Sequence, residues 1–380
     1  MKDRKRFLFT LSFALMFAIG LLLRLVFLPV KTLDMDLYIR WYDYIAQNGI
    51  VNSLGEQSFG YNPPFIYLLF LATLTQSFLP KIWAIKFISI TFDLINFGLV
   101  YQIVKMRFSD NNKPLFAALL FWVAPTVLIN GSFWGQTDSL YTCFLLLAIL
   151  CLLNNRSISA MIAVALSISI KGQGIFFAPL LGVLFFKKQI RWYAFLLVPL
   201  VYMAAFLPTM LITRQIASLF SAYTFQGQAF ARASMNAPNF YFFLPQSAYQ
   251  FSLVIGILLA GLILLAWVLI YGLKHYSITP DLLAVTALVS LALTPFLLPK
   301  MHDRYFYPAD VFSLVAAFFI PEIWFVPIAY QVISLLSYIP FLFGLNPQGI
   351  IPFAVLINTF TIGFLLWKQW KMTLDKSREE

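Results

Sequence analysis

The chain has 380 residues, 61% of them hydrophobic, 18% aromatic and only 11% charged, with a net charge of +11. So little charge over that length excludes a soluble domain and points to an all-α polytopic membrane protein. The apolar runs are continuous, not alternating, which argues against a transmembrane barrel. Lysine and arginine gather at the ends of these runs, as topology signals do, so nucleic acid is excluded as a partner.

Met1-Lys2-Asp3-Arg4-Lys5-Arg6 precedes an apolar run that continues past Arg24 to Val30 without a small-x-small cleavage site, and reads as an uncleaved first span. Further runs lie near 63–79, 82–104, 114–131, 138–153, 157–170, 174–186, 192–212, 250–273, 281–298, 305–320, 323–341 and 350–368. With the basic amino terminus inside, one choice sets every later loop: whether 63–79 crosses. If it stays at the outer face, sixteen of the 26 lysines and arginines fall at inner ends. The opposite choice would put the last twelve of these outside, so the positive-inside rule decides against a crossing. The reading is about 12 transmembrane helices in a single domain, 1–380, with interfacial helices in a first outer loop at about 29–81. A large outer loop occupies about 213–249. Cys143 and Cys151 sit eight residues apart in one run, about 12 Å along a helix, too far for a bridge.

The first outer loop packs Asp34, Asp36 and Asp43 into ten residues of a chain with fifteen acids, and charge beside a membrane is costly. Leu37, Trp41, Tyr44 and Ile45 make an apolar helical face, while Asp36, Arg40, Asp43 and Gln47 make a polar one. This predicts an amphipathic helix in the interface, ended by Asn48-Gly49. Asp34 either caps that helix or serves as a general base over an apolar wall. Asp36 is either half of a surface pair with Arg40 or a second carboxylate. Asp-x-Asp also resembles a divalent-metal motif, but two residues are weak evidence for one; no metal is expected and no cofactor is assigned. Tyr61-Asn62-Pro63-Pro64 opens the helix that stays at the outer interface.

Trp134-Gly135-Gln136-Thr137-Asp138 joins two spans in a tight outer turn. Either Asp138 caps the next helix and Trp134 anchors the turn, or Gln136 and Asp138 bind sugar hydroxyls while Trp134 stacks on a sugar face. Lys171 stands between two short runs, where it snorkels or supplies charge to an anionic head group. Asn236 and Asn239 suit turns, or line a cleft. Lys300-Met301-His302-Asp303-Arg304 puts cations at an outer helix end, where topology disfavours them, and this suggests a phosphate cradle. His275, at an inner loop, is given no role. These clusters all fall on one non-cytoplasmic face, which suggests one site.

In order along the chain, Asp34-Met35-Asp36-Leu37-Tyr38-x-x-Trp41, Tyr61-Asn62-Pro63-Pro64, Trp134-Gly135-Gln136-x-Asp138, Lys171-Gly172-Gln173, Asn236-Ala237-x-Asn239 and Met301-His302-Asp303-Arg304-Tyr305 resemble the GT-C superfamily of membrane glycosyltransferases. They look most like the bacterial proteins related to the second mannosyltransferase of GPI-anchor synthesis. Asn62 and Gly172 stand where relatives usually carry proline, and relatives often have Asn at the place of Asp36. The resemblance implies an inverting transferase moving a hexose, mannose-like, from a polyprenyl-phosphate sugar donor. The acceptor would be lipid-linked or a surface glycan, on the periplasmic or exterior face of a bacterial plasma membrane with both termini cytoplasmic. It implies Asp34 as base and His302 and Arg304 on the donor phosphate. Lys300 and Lys171 stand beside them as further candidate phosphate ligands. Candidate sugar and acceptor contacts are Tyr61, Trp134, Gln136, Asp138, Gln173, Asn236 and Asn239. The competing reading is a secondary transporter or a lipid or polysaccharide flippase, for which Asp93 is the main ionisable residue inside a run. A non-catalytic partner in a surface-polysaccharide assembly is a third.

Overall fold

The computed structural model describes residues 2–55, 59–109, 112–214 and 231–379. Most helices overlap the apolar runs, α2 being the amphipathic helix of the first outer loop: α1 is Lys2–Phe27, α2 Leu33–Leu54, α3 Pro63–Thr73, α4 Lys81–Lys105 and α5 Lys113–Val123. A short α6, Pro125–Val127, passes into a π-helical turn over Leu128–Trp134. Then come α7 Asp138–Leu153, α8 Ser157–Ile170, α9 Ala178–Phe186, α10 Leu197–Thr213 and α11 Tyr249–Leu273. The last four are α12 Pro280–Leu297, α13 Tyr307–Phe319, α14 Val326–Phe343 and α15 Ile351–Glu379.

Seven of the described helices are long and apolar enough to cross a membrane, and eight if α5 and the α6 segment, bent by 47°, count as one broken span. This multi-pass architecture agrees with the composition, but the number is below the expected twelve. The shortfall lies in α7, α8, the Gly172–Phe186 segment and α13, each of 10–17 residues. Asp138, Lys171 and the Arg304-Tyr305 corner cut these runs short. α3 has 11 residues, about 16 Å, too short to cross unaided. In α2, Gly49 takes φ 73°, ψ 168° where the sequence predicts an end, and the chain resumes helix as far as Leu54.

α12 is the axis of the bundle. Every residue from Leu282 to Pro295 is buried, so it is enclosed on all sides by protein. α11, by contrast, exposes Phe251, Val254, Leu258, Leu262 and Leu265, the lipid-facing stripe of a peripheral span. Asp93 is paired: Arg24 of α1 reaches its Oδ2 at 3.1 Å, and the guanidinium lies 3.5 Å over the Trp122 ring. Both partners are buried.

Two polar ends result. At one, Arg107 pairs with Asp281 at 2.6 Å and Lys187 donates to the Tyr276 carbonyl at 2.8 Å. At the other lie α2, the Trp134–Thr137 turn, Lys171 and the loops at 231–248 and 298–306. Those two loops are joined by a parallel pair that helical periodicity does not reveal: β1, Ser234–Met235, against β2, Met301–His302. Lys300 N donates to Ala233 O at 2.7 Å and Asp303 N to Met235 O at 2.9 Å, continuing the ladder.

Candidate functional site

A cavity of about 1160 Å³ opens at this second end. Its lining comes from segments far apart in sequence: Asp34, Tyr38 and Trp41 of α2, Tyr61, Lys171, Arg232 to Asn236, His302 to Tyr305, Phe341 near the end of α14, and Pro347 and Gln348 just beyond it.

Asp34 belongs to the first turn of α2, but it is not the cap. The N-cap is Thr32, which forms no side-chain cap bond; its Oγ1 donates instead to Trp134 O at 3.2 Å. Asp34 Oδ2 accepts from Trp134 Nε1 at 2.9 Å and from Gln136 Nε2 at 2.5 Å. Among the described residues Oδ1 accepts no hydrogen bond, and the residue lines the cavity. Two directed donors fix the carboxylate's plane and leave one oxygen for a ligand's hydroxyl. The Trp134–Asp138 turn can present both donors because Gly135 ends the π-helical turn at φ 80°, a left-handed conformation that side chains rarely adopt. Gln136 Oε1 in turn accepts from Tyr38 and Tyr61 at 3.3 and 3.4 Å, and the two phenols share a hydrogen bond of 2.7 Å. Burial, then the neighbouring Tyr61 and Asp34, hold the Tyr38 phenol well above its ordinary range, so it remains a neutral donor.

Beneath the cavity floor lies a charge cluster. Asp138, fully buried, takes Lys171 Nζ on Oδ1, and on Oδ2 Asn130 Nδ2 at 2.9 Å and Arg304 Nε at 3.7 Å. The cap of α7 is Thr137, so the capping role foreseen for Asp138 is replaced by an ion-pair role. Lys171 is buried with its ammonium between the rings of Tyr61, Tyr141 and Tyr305, at 5.9, 5.5 and 5.7 Å, and does not snorkel. Arg304 also faces Asp303 Oδ1 at 3.6 Å. Burial opposes its charge, but Tyr61, Asp34, Asp138 and Asp303 more than offset this. Asp303 is pushed up to about 7, by burial first and by Asp34 and Asp138 after it, against the pull of Arg304. His302 is driven well below its ordinary value by burial and by Arg304, Lys171 and Lys300. It is a neutral imidazole at pH 7, a hydrogen-bonding group instead of a third cation.

Six of the residues singled out from sequence line this cavity: Asp34, Tyr61, Lys171, Asn236, His302 and Arg304. Trp134, Gln136 and Asp138 are buried behind it and act on the lining residues, which leaves Trp134 no open face for a sugar. The remaining four are absent from the lining. Asp36 ion-pairs with Lys31 at the surface, so Asp34 and Asp36 engage different partners. Asn239 is buried and donates to the carbonyls of Pro295 and Leu298, both at 3.1 Å, fastening the loop to α12. Lys300, at φ 62°, donates to Tyr249 OH at 3.3 Å. Gln173 is half-buried in the 3-10 turn that opens the Gly172–Phe186 segment. Among the described residues no three His, Cys, Asp or Glu side chains gather as a metal site.

The lining also holds residues to which the sequence reading gave no role in the site. Tyr38 stands four residues after Asp34, on the same helical face, a spacing that could have found it. Arg232 is a basic residue in an outer loop, the same signal that marks Lys300. Nothing in the sequence distinguishes Phe341 or Gln348.

No known family model and no curated protein matches the chain.

Proposed function

We propose that this protein is an inverting membrane glycosyltransferase that takes a hexose from a polyprenyl-phosphate donor, as the GT-C resemblance implies. The observation that carries this reading is one cavity holding a carboxylate oriented by two donors, Asp34, across from a charged arginine, Arg304, and a neutral histidine, His302. In this reaction the acceptor hydroxyl oxygen attacks the anomeric carbon while Asp34 Oδ1 takes its proton. The bond from that carbon to the phosphate oxygen breaks on the opposite side, and polyprenyl phosphate leaves with the electron pair. Displacement from the opposite side inverts the centre. Arg304 and the His302 ring N–H are positioned to hold the phosphate as charge grows on it. Lys171, already paired with Asp138, contributes mainly by keeping Arg304 in place.

We place α7, α8, the Gly172–Phe186 segment and α13 as short spans beside the eight long ones, giving twelve. The cavity end then faces the periplasm or exterior of a bacterial plasma membrane, and the Arg107–Asp281 end faces the cytoplasm. The transporter reading is disfavoured because Asp93, its leading ionisable residue, is committed to Arg24 inside the bundle.

The test is transfer of radiolabelled sugar from a panel of polyprenyl-phosphate sugars, by purified wild type and Asp34→Asn in detergent, with and without EDTA. Wild-type transfer that Asp34→Asn lowers about 10²–10⁴-fold is expected, unchanged by EDTA. Equal activity in the variant would remove Asp34 from the chemistry. No transfer from any donor would return the protein to the transporter class.

A further inference from the structure

α4 carries four polar residues at Lys86, Ser89, Asp93 and Asn96, spaced three, four and three apart and therefore on one helical face. All four are buried, which is unusual on an apolar span and marks a fastening face. Asp93 holds Arg24 of α1, and Asn96 Nδ2 donates to Ser139 O at 3.0 Å. Ser89 Oγ donates to Gln136 O at 2.5 Å. Lys86 makes the most bonds: its Nζ donates to Phe27 O at 2.8 Å, Val30 O at 2.7 Å and Phe133 O at 3.0 Å.

An ammonium has three protons, and three carbonyls take them all. Lys86 is thus no candidate for binding a phosphate. What it joins is informative. Val30 lies four residues before Asp34, and Phe133 immediately precedes Trp134. The ammonium also sits at the carbonyl end of α1, where positive charge is favoured. One side chain therefore ties the strand of chain leading into the carboxylate to the turn that supplies its donors. Its stem fills the space beneath Gly135, where an added Cβ would lie 3.4 Å from Lys86 Cγ and 2.3 Å from Met35 Cε.

We propose that Lys86 is a positioning residue that sets the alignment of Trp134 and Gln136 on Asp34, with Ser89 securing the Gln136 backbone. Only the kinetic part of the test rests on the transferase reading. The first measurement is the ¹⁵N–¹H spectrum of the indole groups in labelled protein, with the Trp134 signal identified by its loss in Trp134→Phe. A hydrogen bond to a carboxylate moves an indole proton downfield, so Asp34→Asn should shift the Trp134 signal upfield. Lys86→Met should shift it the same way, by at least half as much, and Lys86→Arg by less. In the transfer assay Lys86→Met should lower kcat on the order of ten- to a hundred-fold with KM within about twofold, as expected of a displaced base, and Lys86→Arg should recover part of it. An unmoved Trp134 signal in folded Lys86→Met overturns the proposal, as does a rise in KM with kcat unchanged. Loss of the fold in both variants also overturns it, because Lys86 would then support the bundle as a whole. Wild type without transferase activity would defeat the proposed reaction and leave the spectroscopic result standing.

Discussion

Asp303 shows what burial does to a single carboxyl at this site. Its folded value of about 7 lies above the ordinary 3.8, so between those values the folded state binds a proton that the unfolded state has released. Stability must therefore fall as pH rises through that window and level off above it. Asp303→Asn, which mimics the protonated acid, should melt with wild type near pH 4 and above it at pH 8, by on the order of 2–4 kcal/mol. Melting curves in detergent across pH 4–8 would check this, and parallel curves for the two proteins would contradict it. Residues such as Asp34, His302 and Arg304 are legible in the sequence because they are ionisable groups clustered between apolar runs. Their mutual roles are not. That Lys171 and Arg304 converge on Asp138, separated from them by 33 and 166 positions, depends on packing that no local pattern encodes.

The pairing of α1 with α4 through Arg24 and Asp93 is a test case among the elements. Both groups are buried, so removing one leaves the other as an uncompensated charge in an apolar bundle. Arg24→Met alone should cost about 3–5 kcal/mol, and Arg24→Met with Asp93→Leu should recover most of it, as read from denaturant titration in detergent. A double variant no better than the single one would mean the residues support the bundle independently. Helix positions follow well from apolar runs and from Pro63, Pro114 and Pro280 in their first turns. The β1–β2 pair does not, because strands of two residues carry no period, and their partners lie 67 positions apart. The polar face of α4 escapes notice for a related reason. Lys86 near the start of a run resembles an ordinary membrane-boundary lysine, and only its three carbonyl partners reveal otherwise.

For the whole molecule, the alternation of helices puts Arg232 and Gln348 at one end and Lys113 and Lys188 at the other, all four exposed. In a background lacking Cys143 and Cys151, cysteines at 232 and 348 should react with an impermeant maleimide in intact cells. Those at 113 and 188 should react only after permeabilisation. The reverse pattern would invert the orientation. The lengths of α7 and α8, 16 and 14 residues, have a further consequence. They measure about 24 and 21 Å, against roughly 30 Å of hydrocarbon. α7 ends and α8 begins at the hairpin Asn154–Arg156, and their far ends, Asp138 and Ile170, lead to the cavity. In the orientation proposed above, a hairpin held at the inner headgroups would set the cavity floor several ångström below the outer ones. A phosphodiester anchored in the outer leaflet would then meet Arg304 near its own depth, while a water-soluble molecule would have to descend to the same point.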